Sequence, residues 1–397
     1  MKEGLPLSGV RVVEAATLFA GPLASMHLAD FGADVIKIEH PTKPDPARGH
    51  GPSKDGTNLW YKTLGRNKRN LTLDLSRREG AEIFLRLIED ADVLIENFRP
   101  GVLQRWGLST ARIMEHNSQL VIVRITAFGQ DGPYSSRPGF GTLAEAMSGF
   151  AASTGEPEGP PTLPPFGLAD GITALAAAYA ALVGLKSRDQ TGEGGEVDMS
   201  ILEPMMLMLG PQVSAYKALG YIQPRTGNRS VNNAPRNVYK SSDGRWIAVS
   251  TSSQSVAERV ITMVGHPELI QEPWFQTGHG RVSRADLLDE LVGGWIARRP
   301  SDQVLRSFED AEAAAAEVYD VSQLVDDPQV LTRGIIAELD DPDLGRVSMQ
   351  NPLFKFNGAY PPVKWPGRGH GADRDEILRG IGLTAQQINL LRDRGLV

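Results

Sequence analysis

Short apolar runs and helical stripes alternate along the first third of the chain. Val10–Glu14 is a β-type run, and Ala20-Gly21-Pro22 turns into a helical pattern lasting to Leu28. Ala33–Glu39 and Asn70–Leu75 predict a second and a third strand, separated by a Pro-, Gly- and charge-rich stretch over 41–58 that reads as a long loop. Arg77–Ala91 places Ile83, Leu87 and Ile88 at helical spacing. Asp92–Phe98 and Leu120–Phe128 supply strands four and five, the last nearly all apolar. Apolar strands alternating with helices predict an α/β fold with a mainly parallel sheet covered on both faces. Such sheets bind ligands beyond the carboxyl ends of their strands. Those ends lead into Thr17–Pro22, the segment after Glu39, the one after Asp74, Asn97–Gly101 and Gly129–Gly141.

A different pattern begins at Pro164-Pro165-Phe166-Gly167-Leu168-Ala169-Asp170-Gly171. The Ala-rich run that follows, Ile172–Gly184, has high helix propensity and few polar atoms, so it predicts a buried helix. Its apolar core, Ile172–Leu185, is shorter than a membrane span. Asp170 has two readings by position. It is either an N-cap accepting bonds from free backbone N–H groups, or a carboxylate nucleophile at the positive helix end. Spacing leaves both open. The Met-rich run Ile201–Leu209 reads as core filling. From about Gly220 the texture changes, and a smaller α+β domain is expected over 222–328. Within it helical patterns fall at 254–264, 284–298 and 301–317, with Ala311–Ala316 read as helix. A last helix is expected at Thr384–Arg394.

Composition narrows the chemistry. The 397 residues suffice for two domains, and the net charge of −7 argues against nucleic acid as a partner. The absence of cysteine excludes disulfides, thiolate metal sites and cysteine nucleophiles, and is compatible with a reducing, cytoplasmic setting. The N-terminus has no apolar core of signal-peptide length, and no membrane association is expected. The seven histidines are widely spaced, which gives no metal-ligand cluster. No H-E-x-x-H, G-x-S-x-G or P-loop occurs. Gly139-Phe-Gly141-Thr-Leu-Ala144 fits G-x-G-x-x-A, but it begins eleven residues past the end of a strand, so a nicotinamide or flavin site is disfavoured. What remains is carboxylate chemistry on a ligand lying across strand ends. Glu96–Gly101 with Arg105 offers an amide, an aromatic face and two guanidiniums suited to a nucleotide. Arg66, Lys68 and Arg69 are candidates for added phosphate charge.

Several of these segments together resemble the class III CoA transferases, which include formyl-CoA:oxalate and carnitine CoA transferases and the related α-methylacyl-CoA racemases. The resemblance is carried by Ala20-Gly-Pro, Gly32–Glu39, Asn67–Asp74, Glu96–Gly101, Phe128–Tyr134, Arg137–Phe140, Ala169-Asp170, Gly227-Asn-Arg229, Asp327–Val330 and Arg394-Gly395. It implies a Rossmann-like large domain built from both chain ends (1–221 and 329–397), a small domain (222–328) and an interlocked homodimer. It implies an enzyme that takes a coenzyme A thioester as substrate rather than as a tightly bound cofactor. It also puts Asp170 at the place of the catalytic aspartate, which forms an acyl anhydride and then an aspartyl-CoA thioester before CoA passes to an acceptor carboxylic acid.

For CoA the matching positions are Phe19 and Ala20, His40, Leu73, Leu75 and Ser76, then Asn97, Phe98, Arg99 and Arg105, and finally Pro138, Gly139, Phe140 and Gly141 near the thioester. Departures from the family pattern are His40 in place of an arginine and Ser76 in place of a lysine, which lean the phosphates on Arg99 and Arg105. Phe140 and Gly141 replace the Tyr and Glu of the formyl-CoA enzyme, which argues against oxalate as acceptor. The racemase relatives carry a proton-transferring His where Phe140 stands, and Phe140 cannot carry a proton. The transferase is therefore preferred to the racemase, with Glu145 as the racemase reading's substitute acid and a non-catalytic CoA-binding protein as a further alternative. Asn228, Arg229, Asn233 and Arg236 are candidates for acyl selection, Arg229 or Arg236 by pairing with a second carboxylate, as in a succinyl donor.

Overall fold

The computed structural model describes residues Gly4–Val397. Six strands form one parallel sheet: β1 (Arg11–Ala15), β2 (Asp34–Glu39), β5 (Lys68–Thr72), β6 (Val93–Glu96), β7 (Val121–Thr126) and β8 (Gly195–Ser200), in the order β5-β2-β1-β6-β7-β8. A two-residue hairpin, β3 (Ser53–Lys54) with β4 (Thr57–Asn58), interrupts the 41–58 loop. The central strands are apolar because both faces are covered: Val12, Val13, Val93, Leu94, Ile95 and Val121–Val123 have no exposed surface. The sheet has one strand more than the apolar runs predict. β8 pairs with β7 at the edge, where several of its residues face solvent and no apolar run is required.

Helices α1 (Ala20–Asp30), α2 (Leu59–Leu64), α3 (Arg78–Ile88), α4 (Val102–Arg105), α5 (Thr110–His116) and α6 (Gly141–Met147) connect or cap these strands. A later helix, α8 (Leu168–Thr191), packs on α1, α6 and β7, and α9 (Leu202–Met208) follows β8. The chain divides into two compact units. The first comprises 1–148, 164–210 and 331–397; the second comprises 149–163 and 211–330. The second unit thus starts at Pro211 rather than 222, runs to Val330, and takes the short helix α7 (Phe150–Ser153) from the middle of the chain. In the first unit the core joins Phe84, Leu85 and Leu94 to Ile377, Leu378, Ile388 and Leu396 near the C-terminus. The second unit packs helices on an antiparallel sheet, β9 (Arg236–Lys240), β10 (Trp246–Ser250) and β11 (Ala314–Glu317). β11 corrects the helix expected through Ala311–Ala316. The helix stops at Asp310, and its alanines then pair with β10, because a ladder partner outweighs the helix propensity of alanine.

Two further expectations change. α8 is 24 residues long and, by length and composition alone, apolar enough to cross a membrane. It is also not wholly buried: Leu175, Tyr179, Leu182 and Val183 are exposed, Tyr179 by 70%. In α9 Pro204 and Met205 are buried, while Leu207 is 74% and Met208 62% exposed.

Beneath the carboxyl edge of the sheet lies a buried charge cluster. Lys37 donates to Glu14 (2.6 Å), Asp45 (2.7 Å) and the carbonyl of Ala16 (3.0 Å). Lys68 donates to the other oxygen of Glu14 (2.8 Å) and to the carbonyl of Pro22 (2.6 Å). Burial pushes the Lys68 ammonium down to about 8, against the pull of Glu14, whereas the carboxylates around Lys37 hold that ammonium above its ordinary range. Removing one partner of a buried pair leaves the other charge uncompensated. Lys37→Met is therefore expected to cost roughly 3–5 kcal/mol in urea unfolding. A loss below about 1 kcal/mol would mean that Glu14 and Asp45 do not depend on it.

Candidate active site

Strand order reverses at β1, with β2 on one side and β6 on the other. The crevice beyond these two carboxyl ends is where open α/β sheets take ligands. A cavity of about 110 Å³ opens there, lined by Thr17, His40, Leu73, Leu75, Ser76 and Phe98, with Trp106 closing one side. Five residues singled out in the sequence meet in it, from three different strand ends. Phe98 stands edge-on to Trp106, ring centres 5.0 Å apart, and its N–H is held by Glu96 at 2.8 Å. Burial lifts the Glu96 carboxyl to about 7.

Other expected residues take different parts. The amide of Asn97 is occupied by the protein: it accepts from Thr17 N–H (2.9 Å) and donates to Thr17 O (2.8 Å), tying the β6 end to the β1–α1 loop. In that loop Leu18 has φ +65°, a conformation that disfavours a side chain, and its N–H is held by Asp45 at 2.9 Å. Ala20 is buried in the first turn of α1. Arg99 and Arg105 are exposed on either side of the left-handed Gly101, and neither forms an ion pair among the described residues. Arg66, Lys68 and Arg69 do not face the crevice as phosphate ligands. Arg66 forks Asp30, Lys68 holds Glu14, and Arg69 pairs with Asp34. Strands that look cationic in sequence are here using their charges inside the fold.

Asp170 lies in the first turn of α8, at its third residue. Gly167 occupies the N-cap position, and Asp170 caps nothing. The acceptor for this helix end is Glu145 of α6, which takes the N–H of Ala169 at 3.0 Å. The Asp170 carboxylate presses on the backbone of Gly141. A Cβ there would overlap Oδ2 and lie 3.0 Å from Cγ, while one at Gly167 would stand 3.4 Å from Oδ2. Burial, and then the charge of Glu145, push Asp170 up to about 6, with no cation or hydrogen bond opposing them. The result is a carboxylate of raised basicity, open to the site, at a helix end that favours anions.

The walls around it are aromatic. Phe19 comes within 3.9 Å of where a Gly167 side chain would begin, and it stands edge-on to His50 (4.7 Å) and Trp60 (5.2 Å). Phe140 and Phe166 are exposed by 61% and 64%. Pro138 is exposed, and Gly139 packs against Ala127 and Phe128. His50 and Trp60 were not legible beside Phe19, because the contact comes from how the 41–58 loop and α2 pack on the β1–α1 loop.

The second unit has its own open groove of about 940 Å³, floored by β9–β11 and including Asn228, Arg236 and Asn237. Among its lining groups, Tyr319 is raised above its ordinary range by burial and by its hydrogen bond to Asp327. Arg229 is committed to Asp289 (2.6 Å) and Asp286 (2.8 Å), and Arg236 donates to the carbonyls of Asn228 and Arg229.

Comparison with known proteins gives a consistent result. The family model described as CoA-transferase family III matches residues 7–374. Succinyl-CoA–D-citramalate CoA-transferase of Chloroflexus aurantiacus is 36% identical over 99% of this chain and 98% of its own length. Succinate–glutarate CoA-transferase of Agrobacterium fabrum is 32% identical over 85% of this chain and 86% of its own length. Among solved structures, a CAIB/BAIF family protein from Brucella suis superposes with a TM-score of 0.82 at 30% identity, covering 96% of this chain and all of that one.

The electrostatics of Asp170 predict a stability cost. Its folded-state value, about 6, lies above the ordinary 3.8, so the fold favours the neutral acid. Stability is lost as pH rises through this window. Asp170→Asn is expected to be more stable than the native protein by on the order of 2 kcal/mol at about pH 8, the difference closing near pH 3.5. Thermal melts at the two pH values measure it. Equal stability at both would show that the carboxylate is hydrated and unperturbed.

Proposed function

The chain belongs to CoA-transferase family III, an enzyme class that transfers CoA between acids, and we propose that it does so through covalent adducts on Asp170. The observation that carries this reading is the Asp170 carboxylate itself: partly buried, raised in basicity, set against the Gly141 backbone and opposed by no cation. A carboxylate is a weak nucleophile, and higher basicity strengthens it. Its oxygen attacks the thioester carbonyl of the donor, the C–S bond breaks, and CoA leaves as thiolate with Asp170 in a mixed anhydride. The thiolate then attacks the aspartyl carbonyl, which releases the donor acid and leaves an aspartyl-CoA thioester. The acceptor carboxylate attacks that carbonyl and expels the thiolate. The thiolate attacks the acceptor acyl carbon of the new anhydride, freeing Asp170 and the product thioester.

The crevice at β1 and β6 suits the nucleotide end of CoA. Phe98, Leu73 and Leu75 offer apolar contact, His40 and Ser76 polar contact, and the unpaired Arg99 and Arg105 can meet phosphate. The loop from Thr17 to Phe19 leads from this crevice to Gly167 and Asp170, a path for the pantetheine arm. Phe19, Phe140, Phe166 and Trp60 offer apolar surface against which bound substrate excludes water from the anhydride, which would otherwise hydrolyse. The relatives named above act between succinyl-CoA or succinate and a second dicarboxylic acid. We assign this chain the same class, a dicarboxylyl-CoA donor and a dicarboxylic acid acceptor.

The apolar face of α8 and α9, with Leu175, Tyr179, Val183 and Leu207 exposed, supports a homodimer that covers it. The interlocked form follows from the family resemblance.

Intact-protein mass spectrometry with succinyl-CoA, trapped with hydroxylamine, tests the reading. An adduct on Asp170 is expected, absent in Asp170→Ala, together with a loss of transfer on the order of 10⁴-fold or more. Transfer by the native enzyme should rise through about pH 6 as the carboxylate forms. Solvent deuterium entering the α-position, with no adduct on any thioester, would replace this mechanism with α-proton exchange.

A further inference from the structure

Glu145 lies near the middle of α6, 2% exposed, and forms no ion pair among the described residues. One carboxylate oxygen accepts the N–H of Ala169, the residue before Asp170. The same helix begins with Gly141, whose backbone bears the Asp170 carboxylate. α6 therefore fixes Asp170 twice, by contact at its start and by a hydrogen bond one turn later.

Neutral side chains supply hydrogen bonds to helix ends without the cost of burying a charge. An unpaired buried carboxylate beside a second carboxylate is unfavourable unless something relieves it. Acylation of Asp170 gives that relief. Anhydride or thioester formation consumes the negative charge of Asp170, and the repulsion disappears. We propose that Glu145 is a positioning residue for Asp170, holding the first turn of α8 and, through its negative charge, favouring the acylated, uncharged form of the nucleophile. The inference rests on Asp170 being the acylated residue.

The other charged groups nearby are engaged elsewhere. On α9, which packs against α6, Glu203 accepts the N–H of Ser200 at 3.0 Å. On α1, which packs against α8, Asp30 is held by Arg66, and burial lowers the basicity of His27. On β7 and β8, Arg124 pairs with Glu196, and Asp198 accepts the N–H of Gln130. Further along α8, Arg188 pairs with Asp92. Glu145 is the charge that acts on Asp170.

The test compares pH profiles of kcat/KM for succinyl-CoA-dependent transfer in the native enzyme, Glu145→Gln, Glu145→Asp and Asp170→Asn. Glu145→Gln keeps an acceptor for Ala169 and loses the charge. Its acid-side midpoint is expected to fall by roughly one pH unit, and the trapped Asp170 adduct by up to about tenfold, with KM for the thioester unchanged. Glu145→Asp keeps the charge and shortens the reach, so its midpoint stays near that of the native enzyme while kcat falls. A profile for Glu145→Gln that overlays the native one, with Asp170→Asn inactive, would overturn the role of Glu145 alone. Transfer by Asp170→Asn would overturn the nucleophile reading beneath it.

Discussion

The site depends first on charges that never reach the ligand. Glu14, Lys37, Lys68 and Asp45 are fully or almost fully buried under the carboxyl edge of the sheet, from β1, β2, β5 and the loop after β2. The register of β1 and β2 sets Glu14 beside Lys37, Lys68 reaches in from the start of β5 and Asp45 from the loop after β2, and their mutual compensation makes burial tolerable. The network also grips backbone: Lys37 and Lys68 take the carbonyls of Ala16 and Pro22, and Asp45 takes the N–H of Leu18. The β1–α1 loop is thus pinned at both ends and at its strained residue, which sets the position of Phe19. Phe19 in turn borders the N-terminus of α8 at Gly167.

Asp170 shows the opposite treatment of a buried charge. No cation answers it, and its nearest charged neighbour is another carboxylate. The same fold therefore holds one set of acids fully compensated and, at the start of α8, a pair, Asp170 and Glu145, that forms no ion pair among the described residues. Compensated acids lock geometry. An uncompensated acid stays more basic, which suits the nucleophilic role proposed for Asp170.

Helix α8 joins these roles. Its first turn carries Asp170, its small residues Ala174, Ala177, Ala178 and Ala181 pack inward, and its larger apolar residues point outward. Alanines allow the close approach to α1 and β7, while Leu175, Tyr179 and Val183 present an apolar surface unusual for a finished exterior. One element thus links Asp170, the proposed nucleophile, to the surface through which a second copy is proposed to bind.

Much of the fold was legible from periodicity. The apolar runs from Val10 to Phe128 locate the central strands because burial on both faces demands apolar residues at every position. The family motifs located Asp170 and the crevice residues His40, Leu73, Leu75, Ser76 and Phe98. Edge strand β8 escaped because one-sided exposure erases the apolar run, and β11 because alanine accepts either state. Charge was the least legible feature. Lys68 and Arg69 read as phosphate ligands, yet they serve Glu14 and Asp34, since sequence spacing does not say which carboxylate a strand register brings opposite. Sequence alone determined the central strands of the sheet and, through its motifs, the family. Only the tertiary structure decided which ions are compensated, that Glu145 accepts the N–H of Ala169 in the first turn of α8, and that His50 and Trp60 stand beside Phe19. Those outcomes depend on contacts the fold makes, such as Glu145 with Ala169 and Phe19 with His50 and Trp60, and local pattern carries no trace of them.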